Sequence, residues 1–322
     1  MNKLAFLFPG QGSQYLGMGW KFAQSFKTSA DIFQQANETL SYDIAKLCFE
    51  GPEKKLTETE YAQPAILTVS VAILKVIEEQ GMECDITAGL SLGEYTALVC
   101  ANALEFSDAV KVVRKRGKYM QEAVPLGEGA MAAIVGLPID KLEEIIRSSN
   151  EPGIVGVANY NTHDQIVISG EKKAVRDLVK IVKENGASRA VLLPVSAPFH
   201  CSLLKPAQEK LEKELEKIYF NKLKIPIVSN VGAQIVNDSS EIAPLLIKQV
   251  TSSILWKDSV EVMLEYGVDT FVEIGPGDTL TKFVNKIAQH NKRAVVSFNI
   301  STPQELQIFL DYYCTNIFRC SR

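Results

Sequence analysis

The sequence predicts an α/β protein made of a large doubly wound domain with a parallel sheet and a small domain inserted into it. Over most of the 322 residues, short apolar runs alternate with amphipathic helical patterns, as in strands covered by helices on both faces. From about residue 127 the order becomes strand, helix, strand, strand, helix, strand, which is the ferredoxin-like order. We expect residues 1–126 and 197–322 to form the large domain and residues 127–196 the small one.

The elements of the large domain follow from local patterns. Lys3–Phe8 is an apolar run that stops at Pro9-Gly10, as a buried strand does. A second strand is expected to end at Ala88, and good helix formers follow from Leu92 to Leu104. The other predicted helices are 66–77, 107–123, 241–250, 256–266 and 280–288, and the other predicted strands are 224–229, 270–274 and 293–298.

The small domain is predicted from shorter segments. Its expected strands are 131–135, 154–160, 165–169 and 189–195, and its expected helices are 139–148 and 173–185. The last of these strands returns the chain to the large domain a few residues before His200. That junction should border the cleft between the two domains.

Composition and charge limit the classes of function. With 46% hydrophobic and 22% charged residues, the chain has the composition of an ordinary soluble globular protein. Its formal net charge of −4 leaves no excess of cations for neutralising nucleic-acid phosphates. The apolar run Leu4–Phe8 is too short for a signal peptide, and no later run is expected to reach membrane-spanning length. We therefore predict a cytoplasmic protein that binds neither nucleic acid nor membranes.

Metal and nucleotide motifs are incomplete. The three histidines are too sparse for a zinc site, and the six cysteines, none in a C-x-x-C pair, are expected to be reduced thiols. Gly10-Gln11-Gly12 begins like a dinucleotide fingerprint, but Tyr15 replaces the third glycine. Gly12 and Gly17 have the P-loop spacing, but Met18 replaces its lysine. No metal or nucleotide cofactor is predicted.

The clearest chemical motif is Gly89-Leu90-Ser91-Leu92-Gly93, the G-x-S-x-G pattern of a nucleophile elbow. By chance the pattern should occur in about one chain of this length in ten. Here it lies between a predicted strand and a predicted helix. Such a turn exposes the serine and aims the free N–H groups of the helix N-terminus at the same point. Ser91 is therefore the candidate nucleophile.

A serine nucleophile needs a base, and histidine is the usual one because its pKa lies near neutrality. His163 lies in a polar turn of the small domain, and His290 lies near the end of an exposed helix. His200 follows the last strand of the small domain, where the chain re-enters the large one. His200 is therefore the candidate base, and the other two histidines read as ordinary surface or core residues.

Acyl transfer also needs donors for a tetrahedral oxyanion. The backbone N–H of Leu92 is the natural first donor, and Gln11 offers a side-chain amide in the loop after the first strand. Gln11 also reads as a plain turn residue between two glycines. Arg116 lies in a basic cluster that reads either as a solvated helix face or as the source of one arginine that binds a carboxylate.

Taken together, these segments resemble the malonyl-CoA:acyl carrier protein transacylases from the start of the chain to about residue 300. That family has a hydrolase-like α/β domain carrying an inserted ferredoxin-like domain, in agreement with the predicted architecture. The motifs that carry the resemblance are Phe8-Pro9-Gly10-Gln11-Gly12-Ser13-Gln14, Gln63-Pro64-Ala65, Ser91-Leu92-Gly93-Glu94-Tyr95, Arg116-Gly117-Lys118, Asn159-Tyr160-Asn161, Phe199-His200, Ser229-Asn230-Val231 and Glu273-Ile274-Gly275-Pro276-Gly277.

The resemblance implies transfer of a malonyl group from malonyl-CoA to the phosphopantetheine thiol of acyl carrier protein, for fatty acid synthesis and without a cofactor. Ser91 would carry the malonyl group as an ester. His200 would be the general base in both half-reactions and would protonate the departing CoA thiolate. Gln11 and the Leu92 amide would hold the oxyanion, and Arg116 would bind the free malonyl carboxylate.

Four further positions follow from the same resemblance. Gln63 would line the site, and a backbone carbonyl near Gln249 would orient the histidine ring. Phe199 would leave no room for an α-methyl group and so favour malonyl over methylmalonyl. Most family members carry histidine where this chain has Leu90. We expect Leu90 to make the pocket wall drier and to alter how the acyl-enzyme divides between transfer and hydrolysis.

Several alternatives stay open at this point. The same elbow serves esterases and thioesterases, a free-standing acyltransferase of a polyketide synthase would have the same site, and a catalytically silent carrier-binding protein is a third reading. Arg116 favours a carboxylated acyl group. A monomer is expected, as is usual in the family. The docking surface for the acidic carrier protein should be basic, with Lys115, Lys118, Lys205, Lys282 and Lys286 as candidates.

Overall fold

Two β-sheets organise the residues that the computed structural model describes, 3–148, 153–195 and 197–316. Across the larger sheet the strand order is β10-β9-β1-β2-β7-β8, and every neighbouring pair is parallel except β7 and β8. Because β1 and β2 lie at its centre, the loops after these two strands meet at one edge of the sheet. The strands are β1 (Lys3–Phe8), β2 (Ile86–Gly89), β7 (Ile227–Val228), β8 (Ile235–Val236), β9 (Val268–Ile274) and β10 (Val296–Ile300).

Helices cover both faces of this sheet. Along β1 the side chains alternate, so that Leu4, Phe6 and Phe8 enter one buried core and Ala5 and Leu7 enter another. The helices are α1 (Trp20–Ser25), α2 (Lys27–Leu40), α3 (Ile44–Glu50), α4 (Glu53–Leu56), α5 (Thr59–Glu79), α6 (Gly93–Cys100), α7 (Phe106–Glu122), α10 (Lys205–Leu215), α11 (Ile242–Gln249), α12 (Trp256–Glu265), α13 (Thr279–His290) and α14 (Pro303–Asn316).

The smaller sheet is antiparallel and has the strand order β4-β5-β3-β6. It consists of β3 (Gly129–Val135), β4 (Val155–Tyr160), β5 (Gln165–Glu171) and β6 (Arg189–Leu192), with helices α8 (Ile139–Ser148) and α9 (Lys172–Glu184). Both helices share one apolar core with the sheet. Strand β4 is tied to the large part of the protein because the Tyr160 N–H donates to the carbonyl of Ile254 at 2.9 Å.

Helix α5 corrects one expectation from the sequence. By length and composition alone it could cross a membrane, so the expectation that no later run reaches spanning length was wrong. In the structure, 83% of its apolar window is buried inside the protein. Helix α5 therefore serves as a central core helix. It also begins at Thr59, before the segment Gln63-Pro64-Ala65 that leads into the predicted apolar stretch 66–77, and it carries Pro64 inside its first turns.

Most predicted elements are present, but the strands expected at 224–229 and 189–195 are clearly shorter than predicted. The strand expected at 224–229 is reduced to β7, because Pro226 has no N–H and the chain folds back immediately into antiparallel β8. Neither β8 nor helix α14 was predicted. The strand expected at 189–195 ends at Leu192, although the Leu193 N–H still donates to the carbonyl of Met131. Ser196 and residues 317–322 lie outside the described residues.

Candidate active site

Ser91 occupies the sharp turn between β2 and α6, with its backbone in the left-handed region at φ 52°. Flanking glycines permit this turn. A Cβ at Gly89 would collide with the backbone of Gly93, and one at Gly93 would collide with the carbonyl of Phe8. The Ser91 N–H donates to Oδ1 of Asn230 at 2.6 Å. The turn therefore presents the serine side chain at the edge of the sheet.

His200 is the hydrogen-bond partner of the Ser91 hydroxyl. Its Nε2 lies 2.8 Å from Oγ of Ser91, and its Nδ1 lies 3.0 Å from the carbonyl oxygen of Gln249. Because that carbonyl can only accept, Nδ1 carries the ring proton and Nε2 can accept the serine proton. Burial, and the positive charge of Arg116, lower the pKa of His200 to about 3. The ring is therefore neutral at physiological pH.

Arg116 brings a positive charge to the same point from α7. It is fully buried, yet it pairs with no carboxylate within 4.0 Å among the described residues. Its donors go to neutral oxygens: Nη1 to Oε1 of Gln63 at 2.9 Å, and Nη2 to Oε1 of Gln249 at 2.9 Å and Oγ of Ser91 at 3.0 Å. Its Nε has no hydrogen-bond partner among those residues. A buried guanidinium without a carboxylate partner is suited to binding an anionic group of a ligand.

Glu94 supports this arrangement through hydrogen bonds to Gln249 and Asn230. Its Oε2 accepts from Nε2 of Gln249 at 2.6 Å and from the N–H of Asn230 at 3.1 Å. Because a carboxylate only accepts, it keeps the amide nitrogen of Gln249 on its own side and leaves the amide oxygen facing Arg116. Burial raises the pKa of Glu94 to about 6, although the hydrogen bonds from Asn230 and Gln249 act against this rise. Glu94 thereby orients a side chain that touches the guanidinium.

The sequence assigned no role to Glu94 or Asn230, and it used Gln249 only for its backbone carbonyl. Two of these three residues had a signal in the sequence. Glu94 is the one charged residue in the apolar helix α6, and Asn230 directly follows the strand predicted at 224–229, two residues after the end of β7. Their hydrogen bonds, however, join residues more than 130 positions apart, between Glu94 and Asn230 and between Ser91 and Asn230. Only the folded chain shows them.

The two residues predicted to hold the oxyanion differ in availability. Leu92 precedes α6, and its backbone N–H has no acceptor among the described residues. Gln11 lies in the loop after β1, but its side-chain Nε2 donates to Oγ1 of Thr59 at 3.2 Å. That bond is at the long end of the usual range. An oxyanion would have to compete with it for the Gln11 amide.

Phe199, Leu90 and the two remaining histidines have their own surroundings in the fold. Phe199 is buried in the main core, immediately before the site histidine. Leu90 is half-buried and packs against the second core of the large sheet. His163 and His290 stack on each other with ring centroids 3.6 Å apart, and His163 Nε2 lies 3.0 Å from Oε1 of Glu261. These two histidines form a contact of their own.

Within the described ranges, no group of three or more His, Cys, Asp and Glu side chains could hold a metal ion. The five cysteines of those ranges have free thiols. The sixth, Cys320, lies outside them.

A serine hydroxyl bonded to a neutral histidine, beside a helix N-terminus and a buried guanidinium, is an arrangement chemically suited to accepting an acyl group on serine. The family model described as "Acyl transferase domain" matches residues 5–297. The chain therefore belongs to the acyl transferase family.

Its relatives are similar over nearly their whole length. A malonyl CoA-acyl carrier protein transacylase of Bacillus subtilis is 46% identical over 298 residues, which are 92% of this chain and 94% of the relative. The crystal structure of a protein of the same name from Clostridium perfringens is 45% identical with a TM-score of 0.94, covering 99% of this chain and 100% of that one. A malonyl-transacylase in complex with a type II PKS acyl-carrier protein is 40% identical with a TM-score of 0.91, covering 95% of this chain and 98% of that one.

Proposed function

We propose that this enzyme transfers the malonyl group of malonyl-CoA to the phosphopantetheine thiol of acyl carrier protein and so supplies fatty acid synthesis. The observation that carries the proposal is Arg116, a fully buried charge without a carboxylate partner among the described residues, 3.0 Å from Oγ of Ser91. A carboxylate at the far end of the acyl group would form an ion pair with that guanidinium and neutralise its charge. The substrates named in the relatives carry such a group.

In the first half-reaction, Oγ of Ser91 attacks the thioester carbonyl while Nε2 of His200 takes the hydroxyl proton. The carbonyl π electrons move to the oxygen, and the Leu92 N–H stabilises this oxyanion, with the Gln11 amide as the second donor. When the oxyanion collapses, the C–S bond breaks and His200 returns its proton to the CoA thiolate. Arg116 pairs with the malonyl carboxylate throughout. The product is a malonyl ester of Ser91.

In the second half-reaction, the carrier thiol binds where CoA left. Nε2 of His200 takes the thiol proton, sulfur attacks the ester carbonyl, and collapse breaks the C–O bond to Ser91. The imidazolium then protonates the serine oxygen. The carbonyl of Gln249 stabilises the imidazolium by accepting from Nδ1 in both halves, so no acidic third residue is required.

The fold and setting follow from the same proposal. We propose a hydrolase-like doubly wound domain of residues 1–126 and 197–322 with a ferredoxin-like insertion of residues 127–196; the parallel sheet covered on both faces and the β4-β5-β3-β6 order support it. The thioester supplies the activation, so the reaction needs no cofactor. We propose a cytoplasmic monomer whose partners are malonyl-CoA and the carrier, with no nucleic acid or membrane.

Mass spectrometry of the intact protein after brief exposure to malonyl-CoA tests the proposal. One malonyl adduct should form, map to the Ser91 peptide and disappear when carrier protein bearing phosphopantetheine is added. An adduct on another residue, or none, would contradict it.

Two related functions are distinguished by the fate of that adduct. A thioesterase would lose it to water at the same rate with or without the carrier. A free-standing acyltransferase of a polyketide synthase would discharge it to that system's carrier. The relative solved with a type II PKS carrier is the observation that favours this second candidate. Rates with carriers from the two systems, measured side by side, decide between them.

Leu90→His tests the effect of the residue before the nucleophile. Leu90 is half-buried against an apolar core, and an imidazole there would make the pocket wall more polar and draw in water. We expect the share of acyl-enzyme lost to hydrolysis to rise relative to transfer. Single-turnover rates with and without carrier give that ratio, and an unchanged ratio would contradict the expectation.

Glu94→Gln is expected to lower the acylation rate about tenfold at pH 7.5, because a hydrogen bond to a charged group contributes about 1.5–3 kcal/mol and 1.4 kcal/mol is tenfold in rate. The direction in which the acylation rate changes with pH is also predicted. The pKa of Glu94 is raised to about 6, so the wild-type rate should fall as pH drops through about 6 and this carboxylate protonates. That fall should be absent in Glu94→Gln, because the amide does not titrate.

Glu273→Gln is the matched control for this profile. Burial raises the pKa of Glu273 to about 7, but its carboxylate bonds to Thr281 and contacts none of the site residues by hydrogen bond. The Glu273→Gln variant should keep the fall in acylation rate near pH 6. If Glu94→Gln also keeps it, Glu94 does not orient the site through its charge.

A further inference from the structure

A groove with basic walls lies between α9 and the exposed edge strand β6. We call it the basic groove and define it by Leu126, Gly127, Lys172, Arg176 and Leu192. It comprises two adjoining cavities of about 620 Å³ and 220 Å³, and Lys172, Arg176 and Leu192 line both. None of these residues belongs to the site around Ser91.

The charge of the groove is largely uncompensated. Asp177, Lys173 and Lys180 also line the larger cavity, and Asp177 lies 3.4 Å from Nζ of Lys173 and 2.8 Å from Nζ of Lys180. Lys172 and Arg176 form no ion pair among the residues that the structure describes, and the first turn of α9 has no acidic residue. Nζ of Lys172 lies 3.8 Å from where a Cβ of Gly127 would be, so its ammonium lies at the groove. The groove therefore presents two cations ready to meet an anionic surface.

Apolar side chains are exposed beside these cations. Leu126 is 83% exposed, and Leu192 on the edge strand is 40% exposed. Exposed leucine side chains next to basic ones are typical of a protein–protein contact, in which an apolar centre is rimmed by charge. A nucleotide phosphate would contact only the cations, and the exposed apolar side chains would have no role in binding it.

The groove is also within reach of the reacting atoms. Gly129 lines the smaller cavity, and a Cβ there would collide with the ring of Pro198, two residues before His200. Val195, which lines the same cavity, precedes His200 by five residues. Five residues span at most about 18 Å. A partner in the groove could thus deliver a thiol on a long flexible arm to Ser91.

The lysines suggested by the sequence are less suited to this purpose. Four of the five already lie within 4.0 Å of a carboxylate: Lys115 of Glu214, Lys118 of Glu122, Lys282 of Asp278 and Lys286 of Asp164. Their charge is partly neutralised within the protein.

We propose that the basic groove is the docking surface for the acyl carrier protein, an acidic domain that brings its phosphopantetheine thiol to the Ser91 ester. This inference rests on the proposed function. The carrier's acidic residues would pair with Lys172 and Arg176, and an apolar side chain of the carrier would cover Leu126 and Leu192. The groove would act only in the second half-reaction, because malonyl-CoA presents no such protein surface.

The test uses the double charge reversal Lys172→Glu with Arg176→Glu. Stopped-flow loading with malonyl-CoA measures the first half-reaction, and steady-state transfer at varied carrier concentration measures the second. We expect the burst of loading to keep its amplitude and rate, and the KM for carrier to rise tenfold or more. The wild-type KM should increase with salt, whereas that of the variant should depend on salt only weakly.

Lys46→Glu is the matched control, because Lys46 is an exposed lysine on α3, which packs against α2, α4 and α5; its KM for carrier should equal that of wild type. The intact burst also shows that the variant is folded. An unchanged KM for carrier in the double variant would overturn the inference, and so would equal slowing of both half-reactions, because that would place the phosphates of CoA in the groove. A wild-type protein that shows no burst would instead overturn the proposed function, and this inference with it.

Discussion

Alanine in place of His200 is expected to lower the rate of Ser91 malonylation about a thousandfold, because a positioned general base contributes about 10²–10⁴ in rate. The geometry leaves no substitute. Nε2 of His200 is 2.8 Å from the serine oxygen, and the other close group, Arg116, can only donate. The pKa of His200, lowered to about 3, keeps the base neutral across the working pH range. The loss should therefore be nearly the same at pH 6 and pH 8.

Ser91→Ala and the double variant complete this experiment. When two residues act as one unit, their losses do not add. The double variant should therefore be no slower in malonyl transfer than Ser91→Ala alone, with rates measured by single-turnover transfer to carrier. Additive losses would mean that His200 acts independently of the serine, which the mechanism does not allow.

Arg116→Ala is expected to lower kcat/KM for malonyl-CoA about a hundredfold or more while lowering that for acetyl-CoA much less. The guanidinium is a buried cation that bonds to the nucleophile, and losing a buried charge-assisted contact costs about 2–5 kcal/mol. Acetyl-CoA has no second carboxylate to lose. The measured quantity is the ratio of the two kcat/KM values, which should fall sharply.

Arg116 also bonds to Gln63 and Gln249, so the variant could disturb the site as a whole. Gln63→Ala is the control, since it removes one of these contacts and keeps the guanidinium; its malonyl-to-acetyl ratio should stay near the wild-type value. Arg116→Lys should recover only part of the selectivity, because an ammonium lacks the planar pair of donors. Equal losses for both substrates in Arg116→Ala would show a structural role and contradict carboxylate recognition.

Local residue patterns were sufficient to predict the elements that are defined by a short stretch of sequence. Strand β1 was predicted at Lys3–Phe8 and helix α8 at Ile139–Ser148, and both occur with those bounds. Strand β8 was missed and β7 was predicted too long, since a two-residue strand exists only through its neighbour's hydrogen bonds. The predicted roles of Ser91, His200 and Arg116 stay predictions, but the three side chains do meet at one point.

By itself, the sequence determined the alternation of strands and helices, the elbow around Ser91 and the family, because these depend on residue periodicity, turn glycines and ordered motifs. Only the tertiary structure decided which polar groups meet in the interior. Gln249 joins His200, Arg116 and Glu94 from 49 to 155 positions away. A buried amide must find partners wherever packing places them, and packing depends on the whole chain. The tertiary structure likewise decided which lysines pair with carboxylates, and it leaves Lys172 at the basic groove without an ion pair among the described residues.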